Sequence, residues 1–290
     1  MKLLRYGLSG QEKPGMLDHA GQIRDLSSVI GDLNASTLFG TDLAKLREVD
    51  PTTLPPVTHV SRLGTPLANI GKFIAVGLNY SDHAIESGMA IPKEPILFTK
   101  AISCIVGPND PVVLPADSTK SDWEVELGFV IGKAARYVPI EEALDYVGGY
   151  CLVNDVSERQ FQLERGSQWD KGKGCDTFGP IGPWLVTADE VRDPQDLELW
   201  LDVNGKRMQS GSTKTMIFGI AHLVSYISRF ITLMPGDVVT TGTPPGVGFG
   251  MNPPQYLKAG DVMTLGITGL GEQRQEVRAF SHGFWETYPG

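Results

Sequence analysis

From residue 72 onward, short apolar runs alternate with glycine and proline, the pattern of strands joined by tight turns. Runs at 73–78, 123–131, 149–153, 197–203, 237–241 and 261–267 predict strands. The last two follow Gly236-Asp237 and Gly260-Asp261, turns that feed a strand. One helix stands out: Ile217, Ile220, Val224, Ile227 and Ile231 recur at three- or four-residue spacing until Pro235-Gly236 stops it. Before residue 60 the pattern predicts strands at 2–6 and 15–18 and a helix at 42–48. Residues 50–56 carry three prolines, which continue neither a helix nor a central strand, so a linker is predicted there. These elements predict a mainly β, α+β chain with a small N-terminal α+β domain at 1–60 and a larger domain at 71–290. No period of 20–50 residues recurs, which argues against a solenoid.

Composition sharpens this picture. The 34 glycines and 20 prolines in 290 residues exceed the usual combined share of about 12%, which favours turn-rich β structure over long helices. The net charge is −9 with no basic run, so a general nucleic-acid or anionic-membrane binder is not expected. An acidic protein can still hold an anionic substrate where a metal ion or local lysines neutralise it. Residues 216–234 form the most apolar long stretch but contain His222 and Arg229, a poor membrane span. The first six residues turn polar before an apolar leader core could form. Cys104, Cys151 and Cys175 are odd in number and lack a Cys-x-x-Cys pair, which predicts reduced thiols and a cytoplasmic protein.

The familiar nucleotide, serine-hydrolase and zinc-protease motifs are missing, and the glycine-rich 242–248 lacks the lysine of a phosphate loop. The strongest local signal is Trp123-Glu124-Val125-Glu126-Leu127. On a strand, Glu124 and Glu126 share a face roughly 6.5–7 Å apart, with Trp123, Val125, Leu127 and Phe129 on the other. Adjacent carboxylates repel unless a hard cation offsets them; the plainer alternative is a solvated strand face. Asp155 ends the apolar run 150–153 and is placed to meet them, although such a residue also suits a turn or a helix cap. Three carboxylates suit Mg²⁺, Mn²⁺ or Ca²⁺ better than Zn²⁺. His83 and Glu86 are at i, i+3 in a capped helical turn, the spacing of a base and its orienting carboxylate, or of a surface pair. Lys171 and Lys173 stand among glycines in what reads as a loop, where a lysine either reaches a substrate oxygen or is merely exposed.

In this order the motifs 77–83, 123–127, 149–155, 173–180 and 235–244 resemble the fumarylacetoacetate hydrolase family, over about residues 72–271. The resemblance implies a mixed β-sandwich or β-roll catalytic domain, commonly a homodimer. It implies Glu124, Glu126 and Asp155 as ligands of Mg²⁺ or Mn²⁺, with Ca²⁺ as a substitute. It also implies His83 and Glu86 as a catalytic dyad on a lid, flanked here by Gly77 and Gly88 and spanning 78–92. Lys173 would act on the substrate's oxygens, and Arg159, Gln162, Lys173 and Thr243 would bind its carboxylate and oxo groups. Val76 stands where large fumarylacetoacetases carry a further metal-binding aspartate, which points to the small acylpyruvase-like branch. The N-terminal unit resembles the subgroup of 2,4-diketo-3-deoxy-sugar-acid hydrolases, whose members also carry the label ureidoglycolate lyase. The implied activity is hydrolytic C–C cleavage of a 2,4-dioxo acid to pyruvate and a carboxylic acid. Ureidoglycolate cleavage or oxaloacetate decarboxylation on the same site are the rivals, and a non-catalytic ion-binding domain is a third reading.

Overall fold

The computed structural model describes residues 1–38, 41–82 and 90–283. Two sheets carry the chain. Nine strands form the larger, in the order Ile23–Asp25, Lys13–Leu17, Lys2–Tyr6, Leu185–Thr187, Val147–Asn154, Val125–Ile131, Val238–Thr240, Phe73–Gly77 and Ile96–Thr99. Most neighbours are antiparallel, but Val238–Thr240 runs parallel to Phe73–Gly77, so the sheet is mixed. The five-stranded sheet runs Lys206–Ser212, Glu198–Val203, Val262–Ile267, Gly271–Arg278, Val112–Val113.

The two sheets pack face to face. Leu127, Phe129 and Leu152 of the larger sheet meet Leu199, Leu201 and Leu265 of the smaller in one apolar cluster, which the helix Ile220–Ile227 joins through Leu223 and Val224. On the other face of the large sheet, Val130, Cys151 and Val153 pack with Leu3, Met16, Leu26 and Leu33. Val125–Ile131 is therefore buried at every residue. This overturns the solvated-face alternative: Glu126 within the strand and Glu124 just before it are both buried.

The strands Ile23–Asp25, Ile96–Thr99, Val112–Val113, Leu185–Thr187 and Lys206–Ser212 are not among those expected, and three further differences stand out. The strand expected at 123–131 starts at Val125; Trp123 and Glu124 lie between it and the short strand Ser121–Asp122. The helix is shorter than its isoleucine spacing, starting after the cap Gly219 and ending at Ile227, so that Ile217 and Ile231 flank it. Gly271–Arg278, absent from the expectations, alternates buried and exposed positions, yet two of its inward side chains are Gln273 and Gln275. Their amides are satisfied: Gln273 Nε2 donates to Leu152 O and Gly182 O at 2.8 Å each, and Gln275 Nε2 to the Pro108 carbonyl at 2.5 Å. No helix among the described residues is long and apolar enough to cross a membrane.

Candidate active site

Strand register builds the acidic centre. Val153 stands opposite Glu126 and Asn154 opposite Val125, so Asp155 leaves its strand beside Glu124, and the Asp155 amide donates to the Glu124 carbonyl at 2.9 Å. One carboxylate oxygen from each of Glu124, Glu126 and Asp155 lies within 4.8 Å of the others, and all three residues are buried. The donor set is hard oxygen throughout, which fits a Mg²⁺- or Mn²⁺-like cation and not a thiolate- or imidazole-seeking one.

Three cations meet this acidic group. Lys173 Nζ donates to Glu124 Oε2 and to Asp155 Oδ2, both at 2.7 Å. Lys173 is not on an exposed loop: it ends the short helix Asp170–Lys173 and is 3% exposed. Gly172 allows that placement. A Cβ there would lie 2.3 Å from the Glu158 carbonyl oxygen and 2.6 Å from the Gln162 amide, so only glycine lets this helix pack onto Arg159–Leu163. Arg159 binds Glu124 Oε1 at 2.7 Å and Asp122 Oδ2 at 2.8 Å, and its Nη1 donates to Gln162 Oε1 at 3.2 Å.

Lys100 and Asp122 enter the centre without having been singled out in the sequence. The Lys100 ammonium is wholly buried, donates to Asp155 Oδ1 at 2.6 Å, and also reaches the carbonyl of Lys173. Burial, the largest single influence, would lower its pKa, but the charge and hydrogen bond of Asp155 together with the other nearby acidic groups outweigh it and hold the ammonium above the usual lysine range. Lys100 thus ties Asp155 to the helix that carries Lys173. Asp122 fixes Arg159 from behind and accepts from the Gly248 amide at 2.7 Å.

Glu126 differs from its partners in having no basic side chain hydrogen-bonded to it among the described residues. Its Oε2 accepts from Thr240 Oγ1 at 2.5 Å and from the Gly242 amide at 2.8 Å. Burial, then the charges of Asp155 and Glu124, push its carboxyl well above the ordinary range. A raised folded-state value means that this group favours the metal-free fold most at low pH, and that the contribution fades as pH rises past the ordinary carboxylate range. A cation needs the ionised form, so its binding must expel the proton. Mn²⁺ affinity will therefore rise about tenfold per pH unit until Glu126 ionises unaided, then level off. Calorimetry in buffers of different ionisation enthalpy will show about one proton released per ion below that plateau. A pH-independent affinity without proton release would contradict the assignment.

Glu124, Glu126, Asp155, Arg159, Gln162 and Lys173 line one pocket, together with Thr243 and apolar walls. The Thr243 hydroxyl is spoken for: it donates to Val125 O and accepts from Gln209 Nε2, both at 2.8 Å. His83, Glu86 and the rest of 83–89, the centre of the expected lid, lie outside the described residues.

With this geometry established, comparison with known proteins places it in context. Residues 72–278 match the fumarylacetoacetate hydrolase C-terminal family model. A Burkholderia orbicola protein with only a provisional hydrolase name is 61% identical over 279 residues, covering 96% of this chain and 99% of its own. A fumarylacetoacetate hydrolase from Exiguobacterium antarcticum superposes with a TM-score of 0.86 at 39% identity, over 97% of this chain and all of its own. A maleylpyruvate hydrolase from Sphingobium sp. SYK-6, solved with manganese(II) and pyruvate, superposes at 0.81 with 30% identity over the same shares. A 5-carboxymethyl-2-hydroxymuconate delta-isomerase from Mycobacterium smegmatis gives 0.78 and 33%, again over 97% of this chain and all of its own.

Proposed function

The chain belongs to the fumarylacetoacetate hydrolase family, and from that premise we propose that it is a divalent-metal-dependent hydrolase cleaving a C–C bond of a 2,4-dioxo acid. The products are pyruvate and a carboxylic acid, and the substrate is an acylpyruvate or a 2,4-diketo-3-deoxy sugar acid. The observation that carries this reading is Lys173, buried between Glu124 and Asp155 at a pocket that Glu126 also lines. Charge balance supports it. Four carboxylates (Asp122, Glu124, Glu126, Asp155) face three cations (Lys100, Arg159, Lys173). One divalent ion would turn that deficit into a single positive excess, which a monoanionic oxo acid neutralises. The manganese and pyruvate held by the Sphingobium relative support the same pairing of ion and product.

Glu124, Glu126 and Asp155 would hold the ion, which when bound supplies Lewis-acid stabilisation of charge on the substrate's oxygens. Lys173 keeps a third N–H that no oxygen among the described residues accepts, and this donor serves the oxo or enolate oxygen. His83, oriented by Glu86, takes a proton from water, and the resulting hydroxide adds to the 4-carbonyl. The C3–C4 bond then breaks, its electron pair passes into the enolate of pyruvate, and the proton returns to C3.

Incubating the manganese-supplemented protein with acylpyruvates and a diketo sugar acid, with pyruvate and the released acid both quantified, tests this. Equimolar pyruvate and acid are expected. Carbon dioxide from oxaloacetate, urea from ureidoglycolate, or isomerisation, without any acyl cleavage, would overturn it.

A further inference from the structure

We propose that the pocket selects 2,4-dioxo acids whose distal acyl group is apolar, alkyl or aryl, over those ending in a second carboxylate or a hydroxylated chain. This rests on the hydrolase reading above and narrows its substrate class. The pocket joins a charged centre to an apolar lining, with Lys173 Nζ 5.2 Å from the Phe98 ring centroid and the Arg159 guanidinium 5.8 Å from that of Phe249. Its charged side chains all belong to the acidic centre and its cations, and among the described lining residues both cations are engaged: Lys173 by Glu124 and Asp155, Arg159 by Asp122 and Glu124. The oxo-acid end of a substrate belongs there.

The remaining wall is apolar. Phe98 and Trp169 tilt against each other with ring centroids 5.4 Å apart. Trp169 lies so close to the strand end that a Cβ at Gly77 would be 2.5 Å from its ring, so the chain gives up a side chain to seat an aromatic here. Leu163 and Phe249 line the same pocket and remain 42% and 38% exposed, large apolar groups that the protein covers only in part. Of the neutral polar side chains in the lining, only the Gln162 amide N–H groups have no acceptor among the described residues, and Arg159 holds that amide beside the acidic centre. The Thr243 hydroxyl proton goes to Val125 O, and Gln162 Oε1 is taken by Arg159. A second carboxylate would be stripped of water with no uncommitted cation to meet it, and distal hydroxyls set against Phe98, Trp169, Leu163 and Phe249 would lose water partners that these side chains do not replace. An alkyl or phenyl group loses nothing and covers exposed apolar surface.

The test uses two 2-oxo acids that lack the 4-oxo group and so bind without turnover: 2-oxo-4-phenylbutanoate and 2-oxoglutarate. Calorimetry on the manganese-supplemented protein will give at least about tenfold tighter binding of the phenyl compound. In Trp169→Ala and Phe249→Ala, both partly exposed positions whose folding a thermal melt checks, the ratio will fall toward one. Equal or tighter binding of 2-oxoglutarate, no binding of either acid, or an unchanged ratio in both variants would overturn the proposal. Turnover of benzoylpyruvate, acetylpyruvate and fumarylpyruvate separates the two levels. Cleavage of none of them sinks the hydrolase reading, whereas cleavage with fumarylpyruvate preferred sinks only the apolar-acyl inference.

Discussion

Asp155→Asn will lower metal-dependent turnover by about 10³-fold or more, because it removes several kcal/mol of transition-state stabilisation at the proposed ion site. The same change has a second consequence. Asp155 holds Lys100 at 2.6 Å and Lys173 at 2.7 Å, and the Lys100 side chain has no exposure to water. An amide cannot neutralise that ammonium, and breaking a buried pair from one side costs about 3–5 kcal/mol. Asp155→Asn alone will therefore melt earlier than the parent. The pair Lys100→Met with Asp155→Asn removes both charges and will regain much of that stability while turnover stays lost. Melting temperature, Mn²⁺ affinity and turnover measured on the two variants separate folding from chemistry. Near-parental Mn²⁺ affinity and turnover in Asp155→Asn would remove this residue from the site.

What the sequence showed of this centre, and what it concealed, follows the range of the interactions. Glu124 and Glu126 are two residues apart, and Asp155 ends an apolar run, so local pattern pointed to all three. Lys100 closes the strand region 96–99, where a lysine reads as an exposed end; its partner is 55 residues away, and only the fold reveals the pair. Asp122 and Arg159 are similarly remote, 37 residues apart. Lys173 read as a loop residue because glycines flank it, yet Gly172 is there for close helix packing and not for flexibility.

The fold shows the same division. Many strands with apolar inward faces were legible, although the short Ile96–Thr99 and Leu185–Thr187 were not; Gly271–Arg278 was hidden because Gln273 and Gln275 occupy its core positions and hydrogen bonds satisfy them there. The hairpin from Glu198–Val203 to Lys206–Ser212 did carry a readable signal. Asn204-Gly205 sits at its turn with φ of 52° and 75°, the left-handed pair of a type I′ turn.

His83→Ala will lower kcat by about 10²–10⁴-fold with a smaller change in KM, the usual worth of a general base. The described residues on the N-terminal side show why a base at this point of the chain would serve the pocket. Phe73–Gly77 ends at the pocket wall, and Leu78, which also lines it, adopts φ of 52°, an unusual conformation for a residue with a branched side chain. Asn79 then pins the chain: its Nδ2 donates to Phe218 O at 3.0 Å and Thr241 O at 2.9 Å, and its Oδ1 accepts from the Phe218 amide at 2.8 Å. His83 follows four residues after this anchor. The described histidines line no part of the pocket, so an imidazole base has to come from elsewhere in the chain. Under the proposed dyad, Glu86→Gln will cost less, about tenfold, because it keeps the imidazole and loses only the carboxylate proposed to support it. A pH–rate profile discriminates further: under the proposed dyad the acid limb of kcat will vanish in His83→Ala. Near-parental kcat for His83→Ala on every 2,4-dioxo acid the parent cleaves would move the base to another group and leave the acidic centre as the sole support for the proposed chemistry.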